Sequence, residues 1–554
     1  MSDALFRGTL AELDPDVYEL TQLESERQYR KLILIASEST SPLAVRDALD
    51  SSFQNLYAEG YPDEDTRWLS EEDILDYETR LAHYRRYSDP RYYKGVEYAD
   101  AIEALARRRC AEAFAANGLT ADDLYVNVQA LSGSPANNAV YHALVPPDQT
   151  VMSMSLLHGG HLSHGAPVNR SGKVYNIVHY NVDPKTQRLN YQTIQDLAYE
   201  HKPKMIIAGF SSYPWSADWA RFRAIADSVG AYLLADIAHV AGMVVAGAYP
   251  SPVGHAHVIT STTHKTLNGP RGAIIITDDH VISRRIDHAV FPGEQGGPHI
   301  NVIAALALTF KLAKTKQFSA LQHQVIRNCA TLTARLEERG FPIAFGGTDT
   351  HLMNLDCKYV TGSDGTTLSG DMAARILDLA GIVVNRNTIP GDTSAMDASG
   401  IRMGTSWITQ RGFKKKETTA LADIIAEVLL ATTPYPLKSH SGLNKRAKVD
   451  FTVLENAKLR VRELAESAGI DFVPTDHDYP HFYYIDDKPK REGDWIVYEL
   501  RGEKVRQFLN VVLSSDIEAL EPDQSQPTRC YTPQGKVDGT LTCKSPYAFL
   551  LSVP

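Results

Sequence analysis

Short apolar runs, each closed by polar or turn-forming residues, set the rhythm of the chain's middle. They are Lys204-Met-Ile-Ile-Ala-Gly209, Ala231-Tyr-Leu-Leu-Ala-Asp236, His257-Val-Ile-Thr-Ser-Thr262 and Ala273-Ile-Ile-Ile-Thr277. Runs of four to eight near-continuous apolar residues are the pattern of strands buried on both faces, as in a mostly parallel sheet covered by helices. Asn268-Gly269-Pro270 breaks the last two runs into strand, turn and strand. The pattern predicts an α/β protein with a large, mostly parallel sheet over 31–316. A helical arm over 1–30 is expected to start at Asp14-Pro15-Asp16. A smaller α/β domain is expected over 317–436. Within the first domain, Ile74, Tyr77, Leu81 and Tyr84 fall at helical spacing, so the charged stretch 63–90 reads as one amphipathic helix on a loop. Pro434-Tyr-Pro436 and Lys438-Ser-His-Ser-Gly442 read as a linker to an α+β extension over 445–554, a plausible domain size.

Composition narrows the partners. A net charge of −11 argues against nucleic acid or an anionic membrane surface. Five cysteines without a Cys-x-x-Cys pair suggest reduced thiols rather than a disulfide frame or zinc site. With no apolar stretch near 20 residues and no charged-then-apolar start, a cytoplasmic enzyme is expected.

Candidate chemistry sits where the runs end. Lys265 follows a strand among hydroxyls and beside His264, a setting that eases loss of its proton and attack on a carbonyl. Asp236 closes another strand, and carboxylates there face the ligand crevice of an open α/β sheet. A strand-end aspartate and a later lysine are the pair a pyridoxal phosphate enzyme needs. Spacing alone leaves Asp236 equally a helix N-cap, and Lys265 an ordinary loop lysine. Ser132-Gly133-Ser134 precedes a helix expected to start at Pro135, with serine as cap and free N–H groups able to receive an anion. His158, His161 and His164 look like a metal cluster, but no carboxylate or cysteine stands at a matching spacing, so no metal is expected.

Asp236-Ile-Ala-His239 and Thr262-Thr-His-Lys-Thr-Leu-Asn-Gly-Pro-Arg-Gly272 closely resemble serine hydroxymethyltransferase, a fold-type I pyridoxal phosphate (PLP) enzyme, and the resemblance runs from about Leu32 to about Thr433. It implies that 31–316 is the large PLP-binding domain and that Lys265, Asp236, His161, Glu59, Tyr57 and Tyr93 form the catalytic set. Ser132, Gly133, Ser134, Ser211, His239, Thr262 and His264 would join His161, Asp236 and Lys265 around the cofactor, with Gly296 and Gly297 closing the other subunit's phosphate cup. Ser37 and Arg402 would hold the amino acid carboxylate, beside Tyr57, Glu59 and Tyr93. Glu59, Tyr92, Tyr93, Leu156, Gly160, Leu162 and Asn387 would meet tetrahydrofolate. The arm and Tyr57 imply a homodimer, or a tetramer of such dimers, with shared active sites for serine, glycine and tetrahydrofolate.

The sequence departs from that family at the 63–90 insert, expected to be a surface insertion, and at Glu294, which replaces a usual glycine and is expected to point to solvent. Trp495-Ile-Val-Tyr-Glu-Leu-Arg-Gly502 and Gln534-Gly-Lys-Val-Asp538 loosely resemble part of the folate domain of the glycine-cleavage aminomethyltransferase, which implies a non-catalytic accessory module. Two other functions stay open at this point: a folate-independent aldolase acting on 3-hydroxy amino acids, and a non-catalytic folate-binding or assembly protein.

Overall fold

The computed structural model describes residues 4–87, 90–439, 442–469, 490–493, 495–502, 504–532 and 535–554. Ser88, Asp89, His440, Ser441, Gln534 and the stretch 470–489 of the extension lie outside the described residues. At its centre is a seven-stranded sheet in the order Tyr125–Asn127, Ala273–Thr277, Val258–Thr262, Tyr232–Asp236, Met205–Gly209, Thr150–Met154, Asn176–Tyr180. All four apolar runs are strands of this sheet. Ala273–Thr277 alone runs antiparallel to its neighbours, because a ten-residue loop, 263–272, rather than a helical crossover joins it to Val258–Thr262. The remaining pairs are parallel. Helices cover both faces, leaving Ile206, Ile207, Leu233, Leu234 and Ile274 without solvent contact.

The arm is three helices rather than one: Ala4–Arg7, Leu10–Leu13 and Pro15–Arg30. Asp14 caps the last, its carboxylate accepting from the Val17 amide at 3.0 Å. The chain then pairs Leu32 with Ile382 in a short parallel ladder, so the segment that follows the arm belongs to the second core. That core surrounds the antiparallel sheet Asn385–Asn387, Gly400–Gly404, Leu352–Asp356, Ile343–Ala344.

Three expectations change. The insert is not a single helix on a loop: a 3₁₀ turn, Glu64–Trp68, precedes helices Glu71–Leu75 and Tyr77–Tyr87, which break at Asp76. Ser70 and Asp73 form a capping box on the first helix, and the Asp76 carboxylate caps the second through the Thr79 amide and hydroxyl. Ile74 is fully buried in the main core. The expected linker is instead a β-hairpin, Thr432–Ser439 against Gly442–Val449. The extension does not stand apart: Leu500, Val505, Phe508, Leu509, Phe549 and Leu551 share one buried cluster with Leu377, Ile401, Ile424 and Ile425. Its own sheet has five antiparallel strands, with Asp538 exposed in the strand Gly535–Ser545 and ion-paired to Arg529.

Candidate active site

The strands Tyr232–Asp236 and Val258–Thr262 deliver Asp236 and Lys265 into one cleft of about 380 Å³. Its wall also carries Ser37, Ser132, Gly133, Ser134, Leu156, His161, Leu162, Ser211, His239, Thr262, His264 and Arg402. The fold has therefore gathered predicted residues from all parts of 37–402. Gly160 stands just behind, its carbonyl accepting from Ser211 Oγ at 2.8 Å.

Asp236 is mostly buried, its side chain 9% exposed, which by itself would raise its pKa. Hydrogen bonds from His164 Nε2 (2.8 Å) and Asn137 Nδ2 (2.9 Å) outweigh that and hold the carboxyl far below the usual range. Its other oxygen accepts from the Ala238 amide at 3.0 Å, so Asp236 also caps a turn. Neither His164 nor Asn137 was among the predicted site residues. Asn137 is itself fixed by Thr260, whose hydroxyl donates to its Oδ1 at 2.7 Å.

Burial lowers the Lys265 pKa to about 8; the Asp236 charge opposes that shift, while Arg402 and Arg271 add to it. Ser39 Oγ holds the loop by donating to the Lys265 carbonyl at 2.7 Å. Burial likewise pushes His161 and His264 down to about 4, and His239 well below its ordinary value, so neutral imidazoles surround the lysine. His264 Nδ1 is buried without a partner among the described residues.

The three histidines of 158–164 take different hydrogen-bond partners, although the His161 and His164 rings meet edge-on with centroids 5.6 Å apart: His158 accepts from the Val182 amide (3.2 Å), His161 from the Ser163 amide (3.2 Å), and His164 serves Asp236. The helix Gly133–Leu144 begins two residues before Pro135, and the Ser132 hydroxyl makes no capping bond, contrary to expectation. The Gly133 and Ser134 amides, at the edge of the cleft, have no hydrogen-bond partner among the described residues. A side chain at Gly133 would put its Cβ 2.8 Å from Thr262 Cγ2, so only glycine lets the turn lie this close.

Arg402, on the strand Gly400–Gly404, is nine-tenths buried. Burial lowers its pKa to about 10, where it is still a cation at neutral pH. It donates to the Ser211 carbonyl and to Asn385 Oδ1 (3.2 Å), and no acid pairs with it among the described residues. Glu38 and Arg271 also line the cleft.

A second group of predicted residues does not line this cleft. Tyr57 and Tyr93 meet edge-to-face with ring centroids 5.1 Å apart. A Cβ on Gly296 would lie 3.3 Å from Glu59 Oε1, and one on Gly297 3.2 Å from the Tyr57 ring. Tyr57, Tyr92 and Tyr93 are all exposed. Asn387 also stands outside the cleft, its amide turned back onto the Thr388 carbonyl at 2.7 Å. Glu294 does not point to solvent: it binds Arg170 and faces His142 Nδ1 at 3.1 Å.

A family model described as serine hydroxymethyltransferase matches residues 10–88 and 83–425, two stretches that meet inside the insert. The chain belongs to the serine hydroxymethyltransferase family. Members are fold-type I, pyridoxal phosphate-dependent hydroxymethyltransferases with tetrahydrofolate as cosubstrate, and the large mixed sheet agrees with that class. The cleft fits the cofactor: it offers a buried lysine, an ionised carboxylate, and a helix start whose serine leaves the amides uncapped. The match ends at residue 425, so the hairpin and the extension lie beyond it.

Proposed function

We propose that the chain interconverts serine and glycine, with tetrahydrofolate and 5,10-methylenetetrahydrofolate as the one-carbon partners. The observation that carries this reading is a buried, acid-free Arg402 in the same cleft as Lys265 and an ionised Asp236. Pyridoxal phosphate bound there supplies an electron sink for bond breaking at the amino acid's α-carbon. Lys265 would hold it covalently, the start of the helix Gly133–Leu144 would receive its phosphate, and Asp236 would keep its ring nitrogen protonated. His161, Ser211, His239, Thr262 and His264 would frame it. Arg402 presents a planar fork suited to a carboxylate, with Ser37 beside it. Leu156 and Leu162 give the cleft an apolar edge for the pterin.

Glu59 is the group proposed to move the proton when the hydroxymethyl carbon is transferred. It clusters with Tyr57, Tyr93, Gly296 and Gly297 outside the lysine cleft of its own chain. A homodimer in which this cluster completes the partner's cleft accounts for that separation. Exposed Leu5, Phe6 and Leu20 on the arm support the same assembly. All five cysteines are unbridged, in keeping with a cytoplasmic enzyme.

The test is spectroscopic. The holoenzyme should absorb in the visible, change on adding glycine, and gain long-wavelength absorbance when tetrahydrofolate follows. A spectrum that responds to glycine and ignores tetrahydrofolate would replace this reading with the folate-independent aldolase.

A further inference from the structure

A cavity of about 460 Å³ lies where the helix Gly370–Leu379, the hairpin and the helix Val505–Val512 meet. Its size is within the roughly 300–1,000 Å³ of small-molecule sites. Two of its three walls belong to residues beyond the family match, and none of its lining residues is shared with the lysine cleft.

One wall is apolar, built by Met372, Ile376, Leu379 and Val511. The other is polar and carries Arg375, Arg446 and Lys504 beside Asp378 and Glu518. Asp378 is already shared, between Lys504 Nζ at 3.1 Å and Lys31 Nζ at 2.7 Å. Arg375 is spent on Asp371 at 2.8 Å. Glu518 accepts from Asn510 at 3.2 Å. Arg446 is half-buried, and its guanidinium has no hydrogen bond or acidic partner among the described residues. Beside it, burial raises the Tyr435 pKa, so that hydroxyl remains a neutral donor, and the Gln507 amide is also unengaged among the described residues. A half-buried guanidinium without an acidic partner, next to two neutral donors, is the complement of an anion, and the apolar wall is the complement of a carbon skeleton.

We propose that this cavity binds a small organic anion, a carboxylate or phosphate monoester on an apolar or aromatic body, with Arg446 as its anchor. Bound there, the ligand touches one element of the family core and two of the added region. It therefore stabilises their joint by mass action.

The test is calorimetric titration of the holoenzyme with phenyl phosphate, phenylacetate and inorganic phosphate. Saturable binding of one of the aromatic anions, weakened about tenfold or more by Arg446→Gln and retained in Arg402→Gln, is the expected result. Which of the two binds identifies the anion, and inorganic phosphate should bind far more weakly than either. Absence of saturable heat with both aromatic anions at millimolar concentration overturns the proposal. So does binding that survives Arg446→Gln, or inorganic phosphate binding as tightly as phenyl phosphate. Should Arg446→Gln fail to fold, Gln507→Leu replaces it, with a severalfold loss expected and no loss counting against the site.

Discussion

Asp236 owes its charge in part to a neighbour 72 residues away. A buried carboxyl left alone drifts toward the neutral form, and here His164 is the first of the interactions that prevent it. A hydrogen bond to a charged group is worth about 1.5–3 kcal/mol. His164→Leu should therefore lower kcat for serine cleavage about tenfold to a hundredfold, with little change in the serine KM. Steady-state kinetics checks this, and an unchanged kcat would mean that Asn137 alone suffices. Lys265 and Asp236 were legible in the sequence because each closes an apolar run, a local pattern that fixes where a strand ends. His164 was not, since its pairing depends on how a 3₁₀ turn, a helix and a strand meet. In the sequence it stands with His158 and His161, a group that looks like a metal cluster but whose spacing argued against one; in the fold the three rings take different hydrogen-bond partners.

Among the elements, the insert is tied closely to what flanks it. A Cβ on Gly60, where φ is +107°, would lie 3.0 Å from Arg91 Cα, and the Tyr92 amide donates to the Glu59 carbonyl at 2.9 Å. Buried Arg91 locks both sides by bonding Asp100, Glu103 and the carbonyls of Ala58 and Gly60. The insert then returns a support: Tyr84 Oη accepts from the amides of Gly95 (2.9 Å) and Val96 (3.3 Å), at the start of the helix Glu97–Phe114. Val96 has no side chain able to do this. On the proposed function, Tyr84→Phe loosens the loop bearing Tyr92 and Tyr93. It should raise the tetrahydrofolate KM about threefold to tenfold while leaving folate-independent cleavage of a 3-hydroxy amino acid unchanged. Tyr77→Phe, on the same helix, should change neither. Parallel loss in both reactions would contradict a positioning role. The helical spacing of the insert was legible, but not the break at Asp76, where capping side chains win over continuity of the apolar face. Nor was the hairpin legible. Pro434 and Pro436 read as linker residues, yet a two-stranded ribbon consists of edge strands, which tolerate proline.

At the scale of the whole molecule, the added region is part of the second core rather than a tethered module. Phe508 is completely buried there, between the helix Phe451–Ser467 and the extension's sheet. Phe508→Ala should cost about 3–5 kcal/mol. Calorimetry should show the transition of the entire second core moving down in temperature as one unit; a small separate transition moving by itself would indicate an independent extension. Arg402 adds a consequence of another kind. Its guanidinium, on one sheet, already grips the Ser211 carbonyl beyond the end of the other. On the proposed function, an incoming amino acid has to displace that carbonyl, and a two-oxygen anion can do so where a neutral group cannot. Amines that have lost their carboxylate would leave the grip intact, so the bond between Arg402 and the Ser211 carbonyl would screen which amines the cleft accepts.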